Sequence, residues 1–140
     1  MAGALSQLCQ IILISWALVI STPAGAQTAT NTTNQEKPRF LVYFDEFSAY
    51  LSDEAKTIIA DAAKRAREAG ARRIVVQARA SATGTAETNK YLAQTRSSIV
   101  TDQLEADGIA RSLIRQEPIG QTGSNDPTVT ERRVDIIIEP

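Results

Sequence analysis

The chain has 140 residues, 15 basic and 16 acidic side chains, one Cys and no His, and its net charge is −1. A balance this close to neutral favours neither nucleic acid nor an anionic membrane surface as a partner. The lack of His excludes imidazole catalysis, and a single thiol excludes disulfide scaffolds and cysteine-rich zinc sites, so neither a metal nor another cofactor is expected.

Met1 to Ala26 carries no charged side chain, and the run from Leu8 to Ile20 is apolar apart from Gln10 and Ser15. That length suits the apolar region of a signal peptide and falls short of the roughly 20 residues that span a bilayer. Ala24-Gly25-Ala26 offers a small-x-small cleavage site. Residues 1–26 therefore read as a signal peptide, and the mature protein begins at Gln27 with no Cys and no membrane span. The missing Lys or Arg ahead of the apolar run leaves an uncleaved anchor as the alternative. Residues 27–38 are Thr- and Asn-rich and read as a flexible leader, so the folded domain is expected over 39–140.

Arg39 to Phe44 is rich in β-branched and aromatic residues and reads as a buried strand. Ser52 is placed to cap a helix whose first turn holds Asp53 and Glu54. Ala55, Ile58, Ile59, Ala62, Ala63, Ala66 and Ala69 form a stripe at helical spacing, and Gly70 sits where a helix-ending glycine belongs. Arg73 to Ala78 has a continuous apolar centre and reads as a strand covered on both faces. A second helix is expected from Ala86 to Ala106, burying Leu92, Ile99 and Leu104 and stopping at Asp107-Gly108. Leu113 to Pro118 reads as a short strand, Gly120 to Pro127 as a loop, and Arg133 to Ile138 as the last strand. The expected core includes Val75, Leu92, Ile99 and Ile136. The order β-α-β-α-β-β argues an α+β, two-layer sandwich with the helices on one mixed sheet.

Three stretches carry a family resemblance. Val42 to Leu51, VYFDEFSAYL, resembles the VYFDFDSAEL segment of OmpA-like domains, the module shared by outer-membrane proteins, Pal lipoproteins and MotB-type stators. Ala78 to Val100 falls without a gap on that family's GHTDxxGxxxYNxxLSxxRAxxV core, matching it at Gly84, Asn89, Leu92 and Arg96. Glu131 to Ile136, ERRVDI, is similar to its closing NRRVEI strand.

The resemblance implies a non-catalytic module of the periplasm and cell envelope of a Gram-negative bacterium, associated with the outer membrane. Its partner would be peptidoglycan, through the diaminopimelate of the stem peptide, and a second, proteinaceous envelope partner is also implied. Carried over residue by residue, the ligand-binding set is Arg96, Asn89, Arg132 and Ser81. Ser81 stands where the family has the Asp of GHTD, and the whole tetrad is replaced by Ala78-Arg79-Ala80-Ser81. A serine accepts a hydrogen bond from an ammonium but cannot neutralise it, and truncating one partner of a buried charge pair costs roughly 2–5 kcal/mol. Arg79 is expected to add an unwelcome cation beside the ligand's ammonium. The implied binding is therefore weak, and the alternative is a structural or protein-interaction module on the same fold. Asp45 and Glu46 do not read as an acid/base pair, because neighbours on a strand project to opposite faces.

Overall fold

The structure is a computed structural model that describes residues 36–121 and 131–140. The expected signal peptide, its cleavage site, most of the leader and most of the 120–127 loop lie outside the described residues. The elements are β1 (Arg39–Tyr43), α1 (Asp53–Glu68), β2 (Arg73–Ala80), α2 (Ala86–Ala106), a 3-10 turn at Arg111–Leu113, β3 (Ile114–Gln121) and β4 (Arg133–Glu139). The four strands form one sheet in the order β1-β4-β2-β3. β4 runs antiparallel to both neighbours, while β2 and β3 are parallel. Each helix thus joins two parallel strands, and both helices cover the same face. This is the expected α+β sandwich.

α1 forms for the reasons its sequence suggests. The Ser52 hydroxyl accepts the Ala55 amide at 3.1 Å, and two carboxylates occupy the positive end of the helix dipole. Ala55, Ile59, Ala62, Ala63 and Ala66 are buried. Gly70, at φ +60°, ends the helix in a Schellman turn, with the Ala71 amide bonded to the Ala66 carbonyl and the Gly70 amide to the Arg67 carbonyl. Gly108 ends α2 in the same way, and Arg67 Nη1 donates to the Asp107 carbonyl at 2.6 Å, tying the two helix ends together.

The core lies between helices and sheet. Val42, Ile74, Val76, Ala78, Val134, Ile136 and Ile138 meet Ile59, Ala62, Ala93, Val100 and Leu104 there. Val75 and Ile137 are also buried, but on the opposite face of the sheet, as the alternation of strands requires. On that face Asp135 is fully buried between Arg133 Nε at 2.8 Å and Arg39 Nη1 at 3.4 Å.

Four expectations change. β1 is an edge strand with only Val42 fully buried, because it pairs with β4 alone. β3 runs past Pro118 to Gln121: a proline is tolerated on an edge strand, and the register shifts between Ala78 and Arg79 so that Ile119 bulges outward. Gly120 is part of that strand, where a Cβ would sit 3.4 Å from Lys90 Cα, so it lets β3 approach the backbone of α2 near its start. Leu92 and Ile99 are not fully buried; the inward face of α2 is made of Asn89, Ala93, Arg96, Ser97, Val100, Thr101 and Leu104. Leu92 and Ile99 flank that face, and Ile99 packs against the core from its edge.

Candidate functional site

Arg96 is 0% exposed and is the largest fully buried side chain among the described residues. It is held from three sides by backbone oxygens. Nε donates to the Ser48 carbonyl at 2.8 Å, Nη2 to the Asp45 carbonyl at 2.9 Å and Nη1 to the Arg79 carbonyl at 3.2 Å. Its guanidinium carbon lies 5.1 Å from the centre of the Phe44 ring, a cation–π contact. One side chain on α2 therefore joins the β1–α1 loop to the end of β2. Guanidinium has five N–H groups, so the three bonds leave two unspent.

No carboxylate pairs with Arg96 among the described residues. Burial, and then the positive charge of Arg132, lower its pKa to about 10. It remains a cation at neutral pH, desolvated and beside a second guanidinium. Such a charge gains from any anion that reaches it.

Asn89 lies two turns before Arg96 on the same face of α2 and is 1% exposed. Its Nδ2 is buried without an acceptor, as are Arg132 Nε and Arg79 Nε. An unmet buried donor costs about 1–3 kcal/mol. Arg132 immediately precedes β4, and its Nη1 stands 3.9 Å from Glu46 Oε2. Ser81, 5% exposed, follows β2 directly, two residues beyond the carbonyl that Arg96 holds. The four residues expected from the sequence are thus all buried or partly buried: Arg96 and Arg132 lie beside one another, Ser81 follows the strand end that Arg96 holds, and Asn89 lies two turns earlier on the same face of α2.

Arg79 differs from expectation. The core position of Ala78 and the alternation along β2 turn the Arg79 side chain to the other face of the sheet, so its backbone carbonyl faces Arg96 while its charge points away. The residues that sequence reasoning missed are those of the β1–α1 loop. Asp45 and Ser48 contribute only carbonyls, which every residue has, so no side-chain pattern could reveal them. Phe47 does carry a signal: it is 59% exposed with φ +54°, and its ring lies 3.8 Å from where a Cβ on Gly84 would be. A bulky side chain in the left-handed region is uncommon and costs roughly 1–2 kcal/mol.

A groove of about 790 Å³ lies on the sheet face turned away from the helices, lined in part by Val75, Gln77, Ile137 and Glu139. Its polar groups are largely matched within the chain. Lys37 pairs with Glu139 at 2.6 Å and Gln77 donates to Glu117 at 2.9 Å. The Arg96 junction, with donors in excess, is the better candidate for a ligand. No group of metal-ligating side chains occurs among the described residues, and no helix among them is long and apolar enough to cross a membrane.

The fold and this junction define an OmpA-like domain. The sequence profile of the OmpA family matches residues 43–134, and the chain belongs to that family. Solved structures agree on the fold. The peptidoglycan-associated lipoprotein from Burkholderia pseudomallei superposes with a TM-score of 0.63 at 23% identity, over 71% of this chain and 90% of the lipoprotein. The OmpA-like domain of FopA1 from Francisella tularensis gives 0.63 at 18% identity, over 73% and 72%. The periplasmic domain of Helicobacter pylori MotB gives 0.58 at 18%, over 74% and 81%. No curated protein matches by sequence.

Proposed function

We propose that the domain is a non-catalytic module of the periplasm that associates weakly with peptidoglycan, holding the carboxylate of a diaminopimelate-containing stem peptide at the Arg96 junction. The observation that carries this reading is a fully buried guanidinium with no carboxylate partner among the described residues, beside Arg132, with buried donors that have no acceptor on Arg132 and on Asn89 of the same helix face. A ligand carboxylate, with about four lone-pair sites, answers several of these donors at once. The family and the kinship in fold with a peptidoglycan-associated lipoprotein point the same way. Export with removal of residues 1–26, a leader over 27–38 and the domain over 39–140 belong to the same proposal, as does association with the outer membrane.

The test is sedimentation of the purified protein with cell-wall sacculi, and calorimetry with a muropeptide carrying diaminopimelate. Because Arg96 also holds the fold, the diagnostic variants are Asn89→Ala and Arg132→Gln. Each is expected to weaken binding several-fold or more while leaving the thermal transition in place. Wild-type protein that stays in the supernatant and gives no heat with the muropeptide defeats the proposal. Release of soluble sugar or peptide from the sacculi would show that the module is an enzyme after all.

A second reading is favoured by one observation. Three of the Arg96 donors are already spent on the Asp45, Ser48 and Arg79 carbonyls. On that reading the junction is a structural brace, and the domain serves envelope protein contacts without binding peptidoglycan.

A further inference from the structure

We infer that Glu46 supplies the negative charge that position 81 lacks, so that the junction takes a zwitterionic amino-acid head group, with its carboxylate toward Arg96, Arg132 and Asn89 and its ammonium toward Glu46. This rests on the reading of the junction as a carboxylate site and adds a specificity-determining residue to it.

Glu46 is tethered beside the donors by its own backbone. The preceding residue, Asp45, gives its carbonyl to Arg96 Nη2 at 2.9 Å, so the loop cannot move away without breaking that bond. The Glu46 carboxylate reaches to 3.9 Å from Arg132 Nη1, and its side chain is 46% exposed. At that separation it forms a loose ion pair and no hydrogen bond, which leaves its acceptor capacity open. It therefore stands at the rim of the donor cluster, facing both the guanidinium and solvent.

Charge separation selects the ligand. Two guanidiniums, Arg96 and Arg132, stand close enough for one to lower the pKa of the other, and one carboxylate, Glu46, stands beside Arg132. The junction is divided, with donors inside and an anion at the rim. A simple carboxylate satisfies the interior and repels Glu46. An amino-acid head group that keeps its ammonium satisfies both ends, since its two charges are separated by only two bonds. Ser81, buried and uncharged, then needs only to accept a hydrogen bond.

The experiment compares two probes by calorimetry: a muropeptide whose diaminopimelate bears a free amine, and the same muropeptide acetylated on that amine. The wild-type protein is expected to prefer the free amine by about tenfold, the scale of one charge-assisted contact at a partly exposed site. Glu46→Gln, a half-exposed and isosteric change, is expected to abolish that preference by weakening the free-amine probe alone. Adding Ser81→Asp to Glu46→Gln is expected to restore it, since the carboxylate returns to the family's position. A preference that survives Glu46→Gln overturns the inference while leaving the carboxylate site standing. Tighter binding of both probes by Glu46→Gln also overturns it, because Glu46 would then be competing for Arg132. Wild-type protein that binds neither probe overturns the carboxylate site and this inference together.

Discussion

The two helices lie on the same sheet and bury opposite kinds of side chain. α1 presents Ala55, Ile59, Ala62, Ala63 and Ala66 to the core, while α2 presents Asn89, Arg96, Ser97 and Thr101 alongside Ala93, Val100 and Leu104. An alanine-rich face lets α1 approach the sheet closely and asks nothing of its neighbours. The polar face of α2 has to be answered group by group. Some of it answers itself: Ser97 Oγ donates to the Gln94 carbonyl at 2.9 Å and Thr101 Oγ1 to the Ser97 carbonyl at 2.7 Å. Arg96 is answered by other elements, and Asn89 Nδ2 is left unanswered. One helix is framework, and the other exchanges packing for chemistry.

The widest expected gap between the helices comes from their central residues. Arg96→Ala strands three carbonyls and opens a cavity, and is expected to cost about 4 kcal/mol or more in urea unfolding. Ile59→Ala, at the centre of the α1 stripe, should cost about 3 kcal/mol through its cavity alone. If Ile59→Ala proves the more damaging of the two, Arg96 is not the brace its three bonds suggest. Within α2 a smaller contrast is expected. Leu104→Ala should cost about 3 kcal/mol and Leu92→Ala only about 1, because Leu104 is fully buried and Leu92 is not. Equal losses would return Leu92 to the core. The helix starts should show the least difference. The Ser52 and Thr85 hydroxyls each accept one amide at 3.1 Å, and replacing either by Ala should lower stability by about 1 kcal/mol. A much larger loss at Thr85 would mean that the start of α2 is coupled to the buried junction.

How much of this was legible depended on whether a residue's role was local. The cap at Ser52, the α1 stripe and the stop at Gly70 are written in neighbouring residues, and the structure bears them out. The bounds of α2 were legible for the same reason, but its inward face was not. Hydrophobic periodicity places Leu92 and Ile99 inside, whereas the helix packs on small residues whose hydroxyls bond back to its own carbonyls. Nothing in a count of apolar side chains reveals that. The sequence stops β3 at Pro118 because Gly120 to Pro127 reads as a loop by composition, whereas its continuation to Gln121 along the sheet edge is a property of topology. For the site, the family motif pointed to Asn89, Arg96, Arg132 and Ser81; in the structure all four are buried or partly buried, and Arg96 lies near Arg132. The carbonyls that hold Arg96, the turning away of Arg79 and the nearness of Glu46 to Arg132 are facts of three dimensions.

The position of β4 has a consequence for how the chain acquires its shape. The strand formed last along the sequence lies second in the sheet, and it alone hydrogen-bonds both β1 and β2. Arg39 waits for Ile137, and Val76 for Ile136. Until β4 arrives, β1 with its helix and β2 with its helix are two fragments with no shared ladder. The ordering cost of closing such long loops falls due before any sheet contact repays it, which slows folding. Arg132, one residue ahead of β4, reaches the junction in the same event, so the pocket cannot exist in a half-folded chain. For the exported protein proposed above, a domain that stays open until its final strand appears can be threaded through a membrane first and become competent to bind only afterwards.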